Sequence, residues 1–101
     1  MYTEVDLVRN WTLSRCLGAA IPDASFQKDA YISASAYLEK SQADIDVFEK
    51  LDLLIKDALR KNYQGSVTSQ YNVMKCIDLY NDRELENIIS NALRAAKPGI
   101  Q

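Results

Sequence analysis

Apolar residues recur along this chain at the spacing of a helix turn, and polar or proline-containing breaks divide the recurrence into five stretches. The clearest is the last, where Leu85, Ile88, Ile89, Ala92, Leu93 and Ala96 fall at i, i+3, i+4, i+7, i+8 and i+11. Asn81 or Asp82 can cap its start, Glu84 sits where a capping-box acid reaches back, and Pro98-Gly99 stops it. The pattern predicts a helix over about 82 to 96. Near the other end, Val5, Val8, Leu13, Cys16, Leu17, Ala20 and Ile21 line one side of a helix from about Thr3 to Ala20. Trp11 flanks that stripe, and Pro22-Asp23 breaks the helix.

A second helix, about 24 to 40, opens on an Asp23 or Ser25 cap and carries Phe26, Ala30, Ala34, Tyr37 and Leu38 on one face. The run Ser33-Ala34-Ser35-Ala36 leaves room for a neighbouring helix. Ser41 or Asp44 can begin a third helix with Val47, Leu51, Leu54, Ile55 and Ala58 inward, ending near Asn62. A short fourth helix, about 71 to 80, is expected to face Val73, Met74, Ile77 and Tyr80 inward. Between the third and fourth lies the longest irregular segment, Tyr63 to Gln70, with four hydroxyl groups and one glycine, Gly65, suited to a helix C-terminal cap. The expected architecture is all-α, a compact bundle of about five helices.

Composition sharpens that reading. A chain of 101 residues suits one domain, and 3 glycines and 2 prolines leave little material for the tight turns of a sandwich or barrel. The formal charge of -2 supplies no basic stripe to neutralise phosphates, which argues against nucleic acid as a partner. No apolar run approaches the roughly 18 to 20 residues that span a bilayer, so no membrane partner is expected.

Candidate chemistry is sparse. The chain has no histidine, which removes the usual Ser/His and Cys/His nucleophile pairs. Gly18, Gly65 and Gly99 stand alone, so no phosphate-cradling loop is present. The acids Asp44, Asp46, Glu49, Asp52 and Asp57 look numerous enough for acid/base work. However, Asp46 with Lys50, Asp52 with Lys56 and Asp57 with Lys61 are i,i+4 pairs, the signature of a solvated helix face. No catalytic residue, cofactor or metal site is expected, and a binding or structural protein remains.

Cys16 and Cys76, the only cysteines, fall on or beside the apolar faces of their helices. They read equally well as two reduced, buried thiols or as a disulfide tying the first helix to the fourth. Closing such a loop, about 60 residues long, stabilises by roughly 4 kcal/mol in the chain-entropy treatment. The start Met1-Tyr2-Thr3-Glu4-Val5-Asp6 lacks the basic and apolar regions of a secretory signal, which taken alone points to the cytoplasm.

Four stretches carry a resemblance to a known family: Trp11 to Cys16, Asp29 to Glu39, Tyr63 to Val67, and Met74-Lys75-Cys76-Ile77-Asp78-Leu79-Tyr80. Together they resemble the type VI secretion system amidase immunity proteins, the group paired with the fourth class of amidase effectors. The likeness spans roughly residues 7 to 90. It implies a periplasmic protein made with a cleaved signal, which protects its cell from an amidase that cuts peptidoglycan crosslinks. An oxidising periplasm favours the Cys16 to Cys76 disulfide.

The family further implies a homodimer, one subunit's protruding loop entering the amidase active-site groove while a helix of the other packs elsewhere on the enzyme. Here the candidate loop is Tyr63, Gln64, Gly65, Ser66, Val67, Thr68, Ser69 and Gln70, and the candidate second surface is Asp44, Asp46, Glu49 and Lys50 on the third helix. The plain alternative for the loop is a connection anchored by Tyr63 and Tyr71. Trp11, Lys75 and Asp78 read as core or network residues. The rival for the whole chain is a cytoplasmic helical adaptor or secretion chaperone that holds a partner helix on an apolar stripe.

Overall fold

Thr3 starts the first helix by a reciprocal cap. Its hydroxyl accepts from the Asp6 N–H and the Asp6 carboxylate accepts from the Thr3 N–H, both at 3.0 Å. These bonds hold the Asp6 carboxyl below its ordinary pKa, chiefly through the one from the Thr3 backbone. In a computed structural model, which describes residues 1–95, the chain forms α1 (Glu4–Ala20), α2 (Ala24–Lys40), α3 (Ile45–Leu59), α4 (Asn72–Tyr80) and α5 (Arg83–Ala95). No strand occurs among the described residues. The expected all-α bundle of five helices is what forms.

Helix α1 runs through the middle and touches all four others. That position explains a weakly one-sided sequence, because a surrounded helix buries residues in several directions. Leu7, Val8, Trp11, Thr12, Cys16 and Ala20 are all buried. Trp11, at the flank of the stripe, is a core residue, one of the two roles read for it, and its ring meets that of Phe48 edge to face at 4.8 Å between centroids. Val5, expected within the stripe, is exposed. The buried Thr12 hydroxyl donates to the Val8 carbonyl one turn back, so it leaves no unmet polar group.

The Asp23 carboxylate caps α2 by accepting from the Phe26 N–H at 2.8 Å. Only the small Ala30 and Ala34 are fully buried there, against α1, while Phe26 lies exposed at the end of the helix rather than inward. Helix α3 buries Val47, Phe48, Leu51, Ile55 and Ala58 and stops at Leu59, three residues before the expected Asn62. Its C-cap is Arg60, in right-handed conformation, so Gly65 is not the cap. The ion pairs also differ from those expected: Asp52 accepts from Nε and Nη2 of Arg15 on α1, and Asp57 pairs with Arg60.

Helix α4 is turned relative to its expected face. Lys75, Cys76 and Leu79 are buried, whereas Val73, Met74 and Ile77 are each 49% exposed and Tyr80 is half-buried. Asp82 caps α5 by accepting from the Glu84 N–H at 2.9 Å, and Leu85 and Ile89 lie in the core as expected. The expected contributions of Ala96, Pro98 and Gly99 lie outside the described residues. Cys16 and Cys76 form a disulfide with a Cα–Cα separation of 5.6 Å, inside the usual range, and both are fully buried.

Candidate partner-binding loop

After Arg60 the chain leaves helical geometry and regains it at Asn72. Every residue from Gln64 to Gln70 is exposed, and Val67 reaches 70%. The segment stands on two half-buried tyrosines, one at each foot.

At the first foot, the Tyr63 hydroxyl donates to Asp78 Oδ2 on α4 at 2.7 Å. That bond to a carboxylate raises the Tyr63 phenol above its ordinary pKa of 10.0, so the foot holds until the solution is strongly alkaline. The Lys75 ammonium lies 5.8 Å over the Tyr63 ring and donates to the Leu59 carbonyl at 3.2 Å. A cation at the C-terminal end of α3 meets orphaned carbonyls there, which explains why a lysine turns inward among apolar neighbours.

At the second foot, Tyr71 adopts φ 56° and ψ 39°, the left-handed region that a bulky side chain seldom enters. Three hydrogen bonds fix it. Its hydroxyl donates to the Val67 carbonyl, its N–H donates to Ser69 Oγ at 3.1 Å, and its carbonyl accepts from the Lys75 N–H at 3.0 Å. Gly65 matters here for want of a side chain: a Cβ at that position would lie 2.9 Å from Tyr71 Cζ. Beside this foot, Asn72 Nδ2 donates to the Ala20 carbonyl at 3.2 Å, joining the start of α4 to the end of α1.

The loop curves around a recess of about 390 Å³, lined by its own residues between Asn62 and Tyr71 except Ser66. Small-molecule sites are largely apolar and gather walls from several elements. An exposed arch of hydroxyl, amide and valine side chains suits a protein surface better. Asp44, Asp46, Glu49 and Lys50 are also exposed, but at the N-cap and on the first turns of α3. The helix rise sets them on the order of 20 Å from the start of the loop, so the subunit does not bring the two candidate surfaces together. Sequence reasoning named Tyr63 and Tyr71 as anchors of a plain connection; the left-handed backbone at Tyr71 carries no composition signal. The same reasoning placed Lys75 and Asp78 in a network, which is where they lie.

Among the described residues no group of acids or thiols is arranged to hold a metal, and no helix is long and apolar enough to cross a membrane.

Residues 6–89 match the family described as Tai4, type VI secretion system (T6SS) amidase immunity protein. The fold is similar to a chain in the structure of the effector–immunity system Tae4/Tai4 from Salmonella typhimurium. The two share 38% identity over 88% of each chain, with a TM-score of 0.83. The type VI effector–immunity complex Tae4-Tai4 from Enterobacter cloacae contains a similar chain: 29% identity, 89% of this chain, 92% of that one, TM-score 0.80. A structure described as new type VI-secreted toxins and self-resistance proteins in Serratia marcescens is also similar. Its values are 29% identity, 85% and 71% coverage, and a TM-score of 0.77. None of the curated protein sequences compared with the chain matches it.

Proposed function

The chain belongs to the type VI secretion system amidase immunity protein family, and from that premise we propose that it binds and inhibits a peptidoglycan amidase effector, protecting the producing cell and its kin. The observation that carries this reading is the arch from Tyr63 to Gln70, exposed at every residue from Gln64 onward and tied at both ends. It enters the active-site groove of the amidase and covers the catalytic residues. The inhibitor does no chemistry of its own. A loop ordered before binding surrenders less conformational freedom on docking, which favours a tight complex.

Two copies act together. The loop of one enters the groove, while Asp44, Asp46, Glu49 and Lys50 on α3 of the other provide a second contact. Such a division of labour suits a subunit in which these surfaces lie far apart. The chain works as one domain in the periplasm after removal of a signal sequence, an oxidising compartment in which the Cys16–Cys76 bond persists.

Replacing Gly65 to Ser69 with an equally long Gly/Ser segment tests the loop assignment. Inhibition of the cognate amidase should disappear while helical content and melting temperature stay nearly unchanged. Inhibition that survives the exchange refutes the assignment.

A further inference from the structure

Helix α4 packs its inner side, Lys75, Cys76 and Leu79, against α1 and α3. Val73, Met74 and Ile77, at i, i+1 and i+4, share the opposite side, and each is half exposed. Three large apolar side chains together on so short a helix make a patch, unlike the single exposed apolar residues that any surface carries.

This face begins where the arch ends. Tyr71 is the second foot, and the helix rise puts Ile77 about 9 Å from it along the axis. The orientation of the face is fixed as well. Asp78, next to Ile77, accepts from the Tyr63 hydroxyl at the first foot, and the Lys75 N–H donates to the Tyr71 carbonyl at the second. On the inner side Cys76 is bonded to Cys16. The arch and the outer face of α4 thus form one continuous surface, ordered before any partner arrives.

Alone, the arch is too small and too polar for a stable complex. A specific interface engages about 20 to 30 residues a side and sets an apolar centre within a polar rim. The arch has the eight residues Tyr63 to Gln70, and Val67 is the one aliphatic side chain among them. Its hydroxyls and amides orient a partner, but each exchanges water for protein at modest gain. Val73, Met74 and Ile77 supply the apolar centre, and the unbranched methionine among them adapts to an uneven partner. A protein that receives the arch down to its feet meets these three side chains next.

We propose that Val73, Met74 and Ile77 form a docking face for an apolar rim of the amidase groove, beside the mouth that the arch enters. This rests on the reading that the arch enters that groove. It gives occlusion to the arch and much of the affinity to α4.

The chain's two methionines, Met1 and Met74, offer a direct test, because hydrogen peroxide converts an accessible thioether to the sulfoxide. Mass spectrometry of the full chain, alone and saturated with the cognate amidase, should find Met1 oxidised at one rate in both and Met74 about fivefold more slowly in the complex. By titration calorimetry, Ile77→Asp should weaken amidase binding about tenfold or more, whereas Ile77→Leu should bind like the parent. Because Ile77 lies outside the core, neither substitution should change the circular dichroism spectrum or the sedimentation of the free protein. A Met74 that oxidises at the same rate with and without amidase, or Ile77→Asp that binds like the parent, overturns the proposal and leaves the arch assignment standing. So does Ile77→Asp that alters the sedimentation of the free protein, which would give the face to a second copy. An unaltered chain that does not bind the amidase overturns both the docking face and the inhibitor reading.

Discussion

Tyr71 is the one non-glycine residue with positive φ among those described. Such a backbone persists only where the surroundings over-determine it, at a cost on the order of 1 to 3 kcal/mol. Here three hydrogen bonds and the bare Cα of Gly65 do so, and the hydroxyl reaches the carbonyl of Val67 at the tip of the arch. Tyr71→Phe removes that link alone. Its exposed location predicts a melting temperature close to that of the parent. Amide order parameters over 65–69 should fall, and inhibition of the amidase should weaken about tenfold, the scale of one net hydrogen bond. Unchanged inhibition would show that loop order contributes nothing to binding. At the other foot, ionising Tyr63 removes the proton shared with Asp78. Because the folded phenol titrates above its ordinary value, this stabilisation is present at neutral pH and lost only as pH rises through the raised value.

At the scale of elements, α4 carries two apolar faces and uses the less obvious one. Ile77 on the outer face is half exposed and Leu79 on the inner face is 5% exposed. Ile77→Ser should therefore change stability by no more than about 0.5 kcal/mol. Leu79→Ala should cost about 2 to 5 kcal/mol, both read from chemical denaturation. Equal costs would mean that the helix is turned the other way.

The same helix shows what was legible in the sequence. Spacing located its ends to within a residue, but periodicity alone favours the stripe Val73, Met74, Ile77. Lys75 was read as a core or network residue, but its partner, the Leu59 carbonyl, was not legible because it belongs to another element. Over its described residues the stripe of helix α5 was read correctly at Leu85 and Ile89, since a helix against one side of a core needs one apolar stripe. The face of α1 was only partly readable, because a central helix has several. Of the candidate loop, position, exposure and the two anchoring tyrosines were legible; their bonding partners were not, since the left-handed backbone at Tyr71 follows from tertiary bonds.

For the molecule as a whole, the Cys16–Cys76 bond joins the central helix to the one that carries the second foot of the arch. Its 60-residue separation corresponds to roughly 4 kcal/mol in the chain-entropy treatment, a large share of the ~5 to 15 kcal/mol by which small domains are stable. Replacing both cysteines by alanine should lower the melting temperature by on the order of 20 °C. A shift of only a few degrees would place the stability in packing alone. The bond also determines what a single cut in the arch can do. Residues 64–70 are the stretch most open to a protease, and they lie between the two cysteines in the chain. A nick there leaves α1, α2 and α3 on one fragment and α4 and α5 on the other, still covalently joined beneath the break. The protein can thus lose the continuity of its inhibitory arch while remaining one molecule.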